Sequence, residues 1–343
     1  MKAAVLYGPM DLRLESINKP ALGRLDVLIE IKANGLCGSD IHFFKEGRLG
    51  PFEVTSPYVP GHEASGVIEA VGEEVEGFKI GDRVVIEPGI PCRLCEWCKS
   101  GRYNLCPQVR FLSAPPINGT LSEYVSVPFD FVYKFPDRLT YEEAALVEPL
   151  AVGLHAINRG GLRPGMSIAI FGAGPIGLMI LQCARASGAG EIFIIDKIPM
   201  RLEMAERLGA TKAINAAEKD AVEEVLELTH SRGVDVLFEA SGNSKVENDC
   251  LRLAKRGGVI VLVGWPDQKL VPYKLEDILD KELDIRGINR YANAYQPALG
   301  LLEAGQINLR AMITHRYPFN QVCEAFGYVS EHPDQVIKAV VVN

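Results

Sequence analysis

The feature that most constrains the fold is a regular alternation of apolar runs and helix-like segments between about residues 152 and 288. Segments such as Met200–Leu208 and Ala221–Thr229 carry apolar residues at helical spacing with charged residues opposite them, as expected for crossover helices. Apolar runs joined by crossover helices predict a parallel sheet in an α/β domain. The runs are Ile168–Phe171, Glu191–Ile195, Lys212–Ile214, Val234–Glu239, Val259–Val263 and Leu283–Ile285.

The first 150 residues or so follow a different pattern, which is typical of a β-rich domain. Val27, Ile29 and Ile31 alternate with polar residues, and short strands are also predicted at Gly66–Ile68 and Arg83–Ile86. A chain of 343 residues exceeds the length at which one hydrophobic core normally keeps growing. We therefore expect two domains, the first mostly β and the second α/β.

The α/β alternation stops after about residue 290. Gln296–Ala304 predicts a helix and Val336–Val342 predicts a closing strand. The sequence contains no internal repeat, low-complexity tract or long linker. The tail could return to the first domain, although periodicity alone leaves this open.

Composition and charge favour partners that are small molecules. Hydrophobic residues make up 48% and charged residues 23% of the chain, and the formal net charge is −8, which disfavours general affinity for nucleic acid or anionic membranes. The longest apolar stretch, residues 168–184, is interrupted by glycine and proline, which makes it a poor membrane span. The amino terminus turns at Gly8-Pro9 before it could supply a signal-peptide core, so we expect a soluble, cytoplasmic protein.

A glycine-rich turn follows the first strand of the α/β half and precedes a helix. It has the pattern G-x-G-x-x-G, in which the glycines permit a tight turn, close approach of a pyrophosphate and close packing of strand against helix. The free N–H groups at the helix amino terminus favour an anion. An incidental glycine-rich turn is the alternative, but this context favours a dinucleotide site. Its residues are Gly172, Gly174, Pro175, Ile176 and Gly177.

The next strand ends in Asp196, where a carboxylate can accept hydrogen bonds from the adenosine ribose hydroxyls. The same carboxylate would repel a 2′-phosphate, so the sequence favours NAD over NADP. Lys197 and Arg201 are the counter-argument, because either cation could pair with a phosphate; Arg201 could equally brace Asp196 or stack near the adenine. Asp196 could also be an ordinary solvated acid at a strand end.

Four cysteines lie within fifteen residues at Cys92, Cys95, Cys98 and Cys106, at the spacing C-x2-C-x2-C-x7-C. Thiolates at such intervals can close a tetrahedron around Zn²⁺, and four protein ligands leave no position open for chemistry, so we interpret the loop as a structural zinc site. Two disulfides or chance clustering are the alternatives. The other four cysteines are scattered, which is not typical of a secreted disulfide scaffold and favours a reducing compartment.

Residues in the β half suggest a second, catalytic metal. Cys37 and His62 offer a thiolate and an imidazole, while Glu63 or Glu148 could add a carboxylate and leave one position for water or substrate. Each residue alone carries little weight, since an isolated histidine beside glycine is usually a turn residue and an isolated glutamate is usually a surface acid. Their joint occurrence beside a zinc loop and a nucleotide motif favours the catalytic interpretation.

With these motifs the chain resembles the zinc-containing medium-chain dehydrogenases, the alcohol and polyol dehydrogenase superfamily. The resemblance covers the whole length and preserves the family's order and approximate spacing. Within the superfamily the sequence is most similar to polyol dehydrogenases, such as the sorbitol dehydrogenases. The motifs that carry it are Cys37–Asp40, Gly61–Glu63, Gly81–Val84, the four-cysteine loop, Glu148-Pro149 and the glycine-rich turn, and the narrower match adds His42–Phe44, Glu46–Gly50, Ile86–Gly89, Gly101–Leu105 and Arg290-Tyr291.

The resemblance implies a GroES-like catalytic domain at residues 1–151 and a Rossmann NAD-binding domain at residues 152–289. Residues 290–343 would then form a C-terminal segment that returns to the catalytic domain, and substrate would bind in a cleft between the domains. The resemblance further implies two zinc ions per chain, one catalytic and one structural. A homotetramer is expected because it is common among polyol dehydrogenases.

The resemblance also assigns roles to individual residues. Cys37, His62 and Glu63 would hold the catalytic zinc, with Glu148 reaching it directly or through water. Ser39 and His42 lie two and five residues after Cys37 and are candidates to start a proton relay, although each could be an ordinary turn or loop residue. The candidate substrate contacts are Phe43, Phe111, Arg290 and Tyr291, of which the last two could instead be a surface loop pair.

Two departures from polyol dehydrogenases concern the substrate. Phe43 replaces a frequent tyrosine and Ala114 stands where a threonine can occur, and each change removes a hydroxyl from the expected pocket. The preferred polyol would then be smaller, cyclic or differently presented. The expected reaction is oxidation of a polyol secondary alcohol to a ketose with hydride transfer to NAD. Alternatives are an L-threonine 3-dehydrogenase or inositol dehydrogenase on the same scaffold, and a catalytically silent NAD-binding protein.

Overall fold

Strands dominate the first 135 residues of the chain in the computed structural model, which describes residues 1–343. The strands are β1 (Lys2–Gly8), β2 (Asp11–Ser16), β3 (Asp26–Gly35), β4 (Arg48–Leu49), β5 (Phe52–Glu53), β6 (Glu63–Val71), β7 (Arg83–Ile86), β8 (Gly89–Ile90), β9 (Arg110–Phe111), β10 (Tyr124–Pro128) and β11 (Val132–Lys134). Short helices interrupt or follow them: α1 (Gly38–Glu46), α2 (Glu96–Lys99) and α3 (Tyr141–Ala145). The β-rich amino-terminal half is therefore confirmed.

Strands and helices alternate in the middle of the chain, as the apolar runs predict. The elements are α4 (Val147–Gly160), β12 (Ile168–Phe171), α5 (Pro175–Ala186), β13 (Ile192–Asp196), α6 (Pro199–Arg207), β14 (Lys212–Asn215), α7 (Ala221–Leu228), β15 (Val234–Glu239), α8 (Glu247–Leu253), β16 (Ala254–Leu262), α9 (Leu275–Lys281) and β17 (Asp284–Gly287). All six predicted strands are present, with ends displaced by a few residues. The tail adds α10 (Tyr295–Glu303), β18 (Ile313–Pro318), α11 (Val322–Glu331) and β19 (Lys338–Val342).

The chain divides into two units. The first unit contains Met1–Glu148, Tyr295–Leu299 and Leu309–Asn343, and the second contains Pro149–Ala294 and Gly300–Asn308. Most of the tail thus groups with the amino-terminal unit, while residues 300–308 group with the α/β unit. No helix of the chain is both long and apolar enough to cross a membrane.

The first unit is built on a mixed seven-stranded sheet in the order β11-β7-β6-β3-β19-β18, with β10 also paired to β3. Val27, Ile29 and Ile31 of β3 are buried in its core, as their alternation predicts. Two antiparallel pairings of β3 matter for function. Gly35 at the end of β3 lies opposite Glu63 at the start of β6, and β19 pairs with the same end of β3 on its other side.

The second unit contains a six-stranded parallel sheet in the order β14-β13-β12-β15-β16-β17. Its central strand β12 is completely apolar and buried, because helices cover both faces of a parallel sheet. The strand order reverses at β12, whose neighbours are β13 and β15. Ligands of such sheets bind outside the carboxyl ends of the strands at this reversal. The predicted fold class, a GroES-like β domain with a Rossmann domain, is confirmed.

Candidate functional site

Three side chains that could bind a metal meet at the junction of β3 and β6. Cys37 follows β3 and caps the amino terminus of α1, His62 immediately precedes β6, and Glu63 begins it. Because β3 and β6 pair antiparallel with Gly35 opposite Glu63, the three residues are brought together from two separated stretches of sequence. Their ligand atoms all lie within 4.8 Å of one another. We call these three residues the Cys37 donor set.

Asp40 lies next to His62 of the donor set and is fully buried. Its Oδ1 accepts hydrogen bonds from the Ser113 hydroxyl at 2.6 Å and the Gly61 N–H at 3.2 Å, and it lies 3.6 Å from Nδ1 of His62. Burial would raise the pKa of Asp40, but these neighbours, led by His62, lower it below its usual value. The pKa of His62 is lowered by burial but is raised well above its usual value by Asp40 and Cys37.

The carboxylate of Glu63 is paired with a residue far along the chain. Nζ of Lys338, in β19, donates to Oε1 of Glu63 at 2.6 Å and to Oε2 at 2.7 Å, and both residues are almost completely buried. The carboxylate fits because Gly35 has no side chain, since a Cβ there would overlap Oε2. Glu63 therefore has a fixed position next to Cys37 and His62 and a cation on its other side.

Glu148 is the fourth predicted metal ligand. It lies in the first turn of α4, is 5% exposed, and is not one of the three residues whose ligand atoms cluster within 4.8 Å. Its charge nevertheless contributes to raising the pKa of Lys338, which places it in the electrostatic surroundings of Glu63. The structure thus brings together Cys37, His62 and Glu63 and leaves Glu148 outside this set.

The donor set has the chemistry that zinc requires. A thiolate, an imidazole and a carboxylate are all zinc ligands, and three protein ligands are typical of zinc sites that keep a position for water or substrate. Nδ1 of His62 is buried without a hydrogen-bond partner at normal distance, while the Asp40 carboxylate lies just beyond that distance. A carboxylate next to a histidine ring nitrogen is the usual means of orienting a metal-bound imidazole. The residues therefore fit a zinc ion.

A second set of ligands lies in the loop from Cys92 to Cys106, which we call the four-cysteine lobe. All four sulfurs lie within 4.8 Å of one another. Two of the sulfur–sulfur distances are 3.4 Å (Cys95 to Cys98) and 3.9 Å (Cys92 to Cys98), far longer than a disulfide bond of about 2.05 Å. All eight cysteines of the chain are free thiols, so the disulfide alternative does not hold.

The backbone of the lobe favours the thiolate form of Cys92. The N–H groups of Leu94 and Cys95 both point at Sγ of Cys92, each at 3.4 Å, and they lower the pKa of this thiol to about 6. The N–H of Cys92 in turn points at Sγ of Cys106 at 3.4 Å. Four convergent sulfurs with amide donors around them fit a closed tetrahedral zinc site.

Two polar contacts attach the lobe to the rest of the first unit. Arg93 forms a two-point ion pair with Asp130, with N–O distances of 2.7 and 2.6 Å. Glu87, buried at the end of β7, accepts hydrogen bonds from the hydroxyls of Tyr103 at 2.7 Å and Tyr133 at 2.8 Å. These contacts fix the lobe to β7 and β11 independently of its cysteines.

In the second unit a pocket of about 530 Å³ lies at the carboxyl ends of β12, β13 and β15. Gly172, Gly174, Asp196 and Arg201 are among its lining residues. Pro175 and Ile176 form the first turn of α5, as the motif predicts. A Cβ at Gly177 would overlap the carbonyl oxygen of Gly172, so this glycine lets the helix pack against the turn. The pocket has the location and size of a nucleotide site.

Asp196 is held rigidly at the end of β13. Its Oδ2 accepts a hydrogen bond from the N–H of Ala173 in the glycine-rich turn at 2.7 Å, and its Oδ1 accepts from the N–H groups of Lys197 and Ile198. Nη1 of Arg201 lies 3.9 Å from Oδ2. Lys219 and Arg252 also line the pocket, as do the acids Asp220 and Asp249, so the pocket combines carboxylates and cations.

The predicted relay residues lie on α1, directly after Cys37. Ser39 is half-buried, whereas His42 is exposed and lies 3.6 Å from Glu46 one turn further on. Both residues therefore lie close to the donor set in the sequence, but His42 faces the solvent.

The four predicted substrate contacts lie in different environments. The ring of Phe111 is 5.4 Å from that of His62, next to the donor set. Phe43 is 4% exposed and packs edge-to-face on Tyr58 in the core. Arg290 and Tyr291 belong to the second unit, where Arg290 has a backbone φ of 56° and Tyr291 is buried.

Sequence reasoning missed two residues of the metal site. Asp40 belongs to a motif that carries the resemblance, but no role followed from the motif alone. Lys338 left a clearer signal, because it is a charged residue inside the apolar run Val336–Val342. A lysine in a buried strand needs a partner, and its presence indicates a carboxylate nearby.

Comparisons with known proteins agree with this geometry. A family model for the alcohol dehydrogenase GroES-like domain matches residues 23–137, and a model for zinc-binding dehydrogenases matches residues 175–304. The first match covers the donor set and the four-cysteine lobe, and the second begins at Pro175, within the glycine-rich turn, and covers five of the six strands of the parallel sheet.

Full-length relatives extend the comparison. Sorbitol dehydrogenase from Bacillus subtilis (strain 168) is 44% identical, over 99% of this chain and 97% of its own length. D-xylulose reductase from Saccharomyces cerevisiae is 39% identical, also over 99% of this chain and 97% of its own. The crystal structure of an Escherichia coli oxidoreductase/dehydrogenase of unknown specificity has a TM-score of 0.96 at 38% identity, covering 99% of this chain and 98% of that one. The chain therefore belongs to the zinc-containing medium-chain alcohol and polyol dehydrogenases.

Proposed function

We propose that this protein is a zinc-dependent polyol dehydrogenase that oxidises a secondary alcohol to a ketose with NAD as the hydride acceptor. The observation that carries the proposal is the Cys37 donor set, whose three different ligand types converge within 4.8 Å. Such a set suits a zinc ion that keeps one coordination position for substrate. A catalytically silent protein would have no physical need for an open metal site. The sorbitol dehydrogenase and D-xylulose reductase relatives support a polyol as the substrate class.

Each cofactor supplies one part of the chemistry. Zinc held by Cys37, His62 and Glu63 supplies Lewis acidity, which lowers the pKa of an alcohol, and NAD supplies the hydride acceptor. Asp40 orients the His62 imidazole and is itself fixed by the Ser113 hydroxyl and the Gly61 amide. Phe111 lies against His62 and provides an apolar wall that limits the approach of water. These residues position the reacting groups and need not move during the reaction.

The alcohol proton has to leave the site, and two paths are proposed. Half-buried Ser39 accepts it and passes it toward His42, whose exposure supports a role at the solvent end of the relay. Glu148, which is 5% exposed, is proposed to provide a second path and to reach the metal directly or through water. Arg290 and Tyr291 are proposed to bind polyol hydroxyls.

The proposed reaction is tested by following NADH formation by zinc-loaded protein over a panel of substrates. The panel contains sorbitol, xylitol, butane-2,3-diol, myo-inositol, L-threonine and propan-2-ol. We expect turnover with acyclic polyols and at least about tenfold lower kcat/KM for L-threonine, because a site for hydroxyls leaves an amino acid's charged groups unpaired. Turnover confined to threonine or to inositol would identify an L-threonine 3-dehydrogenase or an inositol dehydrogenase instead. No turnover with any of these compounds would favour a catalytically silent NAD-binding protein.

NAD is the proposed cofactor because the fixed Asp196 carboxylate can accept a hydrogen bond from the ribose hydroxyls and repels a 2′-phosphate. The cations Arg201, Lys219 and Arg252 would favour the 2′-phosphate of NADP. The preference for NAD over NADP is therefore proposed to depend on the Asp196 carboxylate. Asp196→Ser should raise the ratio of kcat/KM for NADP to that for NAD by about tenfold or more, as expected for one charged hydrogen-bond acceptor. Asp220→Asn is the matched control, because Asp220 lines the same pocket but caps α7. An unchanged ratio in the Asp196 variant would contradict the proposed preference.

A homotetramer is also proposed, and surface composition supports self-association. Strand β17 is at an edge of the parallel sheet, and α9 buries none of its residues. Exposed apolar side chains of this region are Trp265, Leu270, Leu275, Leu279 and Ile285. Edge strands and exposed apolar surface commonly mark interfaces between copies. Light scattering during size-exclusion chromatography should give four times the chain mass, and Leu279→Glu should lower it; a monomer would overturn this assembly.

The proposed location is the cytoplasm. All eight cysteines are free thiols, and four of them form a zinc ligand set that oxidation would destroy. Such thiols persist in a reducing compartment. Fractionation of cells that produce the untagged chain should recover it with cytoplasmic markers, and recovery with exported proteins would contradict this location.

A further inference from the structure

Lys338 is a charged side chain in an apolar strand. It is 2% exposed, and the residues that follow it in β19 are Ala339, Val340 and Val341, all buried. Burying an ammonium group is costly unless it is paired and hydrogen-bonded. The partners of this lysine therefore indicate what it does.

All of those partners belong to the metal site. Nζ of Lys338 donates to both carboxylate oxygens of Glu63 at 2.6 and 2.7 Å, and to the carbonyl oxygen of Leu36 at 3.1 Å. An ammonium has three N–H donors, so these contacts use all of them. Leu36 immediately precedes Cys37, and Glu63 immediately follows His62. One lysine thus touches both segments that supply the Cys37 donor set.

The surrounding charges are those of the metal site as well. The ammonium forms its ion pair with the Glu63 carboxylate at 2.6 Å, and both side chains are almost completely buried. A metal ion in the donor set and the ammonium of Lys338 are both attracted to the Glu63 carboxylate. They also repel each other in a region of low dielectric, where such forces are strong.

We propose that Lys338 is a positioning residue for the metal: it fixes the Glu63 carboxylate and limits how much of its negative charge reaches the ion. This inference rests on the proposed zinc site at Cys37, His62 and Glu63. A carboxylate shared with an ammonium is a weaker donor, which leaves the metal a stronger Lewis acid toward an alcohol. The ammonium thereby favours polarisation of the substrate and weakens retention of the metal.

The experiment uses cobalt(II) as a spectroscopic probe in the full-length protein. For each variant, the absorption spectrum of the same variant carrying Cys37→Ser is subtracted. The subtraction removes the cobalt signal of the four-cysteine lobe and leaves the signal of cobalt at the donor set. The variants are Lys338→Met, which removes the charge, Lys338→Arg, which keeps it, and each of these in a Glu63→Gln background. The second readout is the rate at which EDTA removes the metal.

The expected result is specific to charge and to Glu63. Lys338→Met should shift the cobalt d–d bands and slow metal loss by about tenfold or more, the scale on which outer partners of ligands act. Lys338→Arg should resemble the unmodified protein. In the Glu63→Gln background, Lys338→Met should change neither readout, because the carboxylate through which it acts is gone.

Three results would overturn the inference. The first is that Lys338→Met changes neither the cobalt bands nor the rate of metal removal by EDTA. The second is that Lys338→Met loses its metal faster. The third is that Lys338→Met has the same effect in the Glu63→Gln background as in the unmodified protein. Lys338→Gln keeps a hydrogen-bond donor without the charge and replaces the methionine variant if the latter does not fold. Absence of any Cys37-dependent cobalt signal in the unmodified protein would instead refute the proposed zinc site, so the two failures are distinguishable.

Discussion

The two clusters of potential metal ligands in the first unit differ in how far apart their residues lie in the sequence. The four-cysteine lobe takes all its ligands from fifteen consecutive residues, Cys92–Cys106, and its amide donors come from the same loop. The Cys37 donor set needs two strands to bring Cys37 next to Glu63, and its outer partner Lys338 comes from β19. A closed site is thus encoded by local spacing, whereas the open site depends on the tertiary fold.

The difference extends to the groups around the ligands. In the lobe, backbone N–H groups point at the sulfurs of Cys92 and Cys106, where they favour negative charge. In the donor set, Asp40 acts on His62 and Lys338 acts on Glu63, so each of these two ligands has its own charged neighbour. Side chains can tune a ligand in ways that backbone cannot. The comparison predicts that substitutions at the two clusters have separable effects on turnover and on stability.

The largest effect is expected from Cys37→Ser. Loss of the proposed catalytic zinc would remove several kcal/mol of Lewis-acid stabilisation, so kcat should fall by about a thousandfold or more. Metal analysis should show one zinc lost per chain, with NAD affinity and the thermal midpoint little changed. Cys323→Ser is the matched control, because Cys323 belongs to neither cluster. Retention of turnover in metal-free Cys37→Ser would exclude the zinc mechanism.

Asp40→Asn comes next. The change keeps the shape of the side chain but removes the charge that lies 3.6 Å from Nδ1 of His62. We expect zinc affinity and kcat/KM to fall by about 10- to 100-fold, the usual cost of losing such a partner. Competition with a chromogenic chelator measures the affinity. Ser113→Ala, which removes only one hydrogen bond to Asp40, should have a smaller effect, and an equal effect would assign the role to packing instead.

Cys98→Ser should affect stability more than turnover. The lobe would lose its zinc, and the thermal midpoint should fall by roughly 5 °C or more because the loop can no longer close around an ion. Turnover per folded chain should stay within about threefold, since the donor set is untouched. Zinc analysis and calorimetry provide the measurement. A loss of turnover as large as that of Cys37→Ser would show that the two clusters are not separable.

The smallest effect is expected from Arg93→Gln. The ion pair of Arg93 with Asp130 is well formed, but both side chains are about two-fifths exposed, and solvent screens such pairs. The free energy of unfolding should fall by no more than about 1 kcal/mol, without loss of zinc. Urea denaturation measures it, with the exposed pair Arg256–Asp280 as a comparison through Arg256→Gln. Loss of zinc from the Arg93 variant would mean that zinc binding by the lobe depends on the ion pair of Arg93 with Asp130.

Local patterns predicted the parts of the molecule that local physics determines. The six strands of the parallel sheet follow from apolar runs, and the four-cysteine lobe follows from spacing. The roles of Asp40 and Lys338 could not be derived, because each depends on a neighbour that only the fold provides. Gly35 shows the same limit, since its missing side chain matters only because Glu63 lies opposite. The relay and substrate residues, including Phe43 and Tyr291, remain predictions.

The pairing of β19 with β3 has a consequence for the order in which the protein is made. Glu63 and its counter-ion Lys338 are separated by 275 positions, although their charged groups are in contact. During synthesis Glu63 and the other members of the donor set are translated first, and the Lys338 ammonium is absent until β19 has been translated. If the donor set holds zinc as proposed, an ion that reached it earlier would meet a more strongly negative site than the finished protein offers.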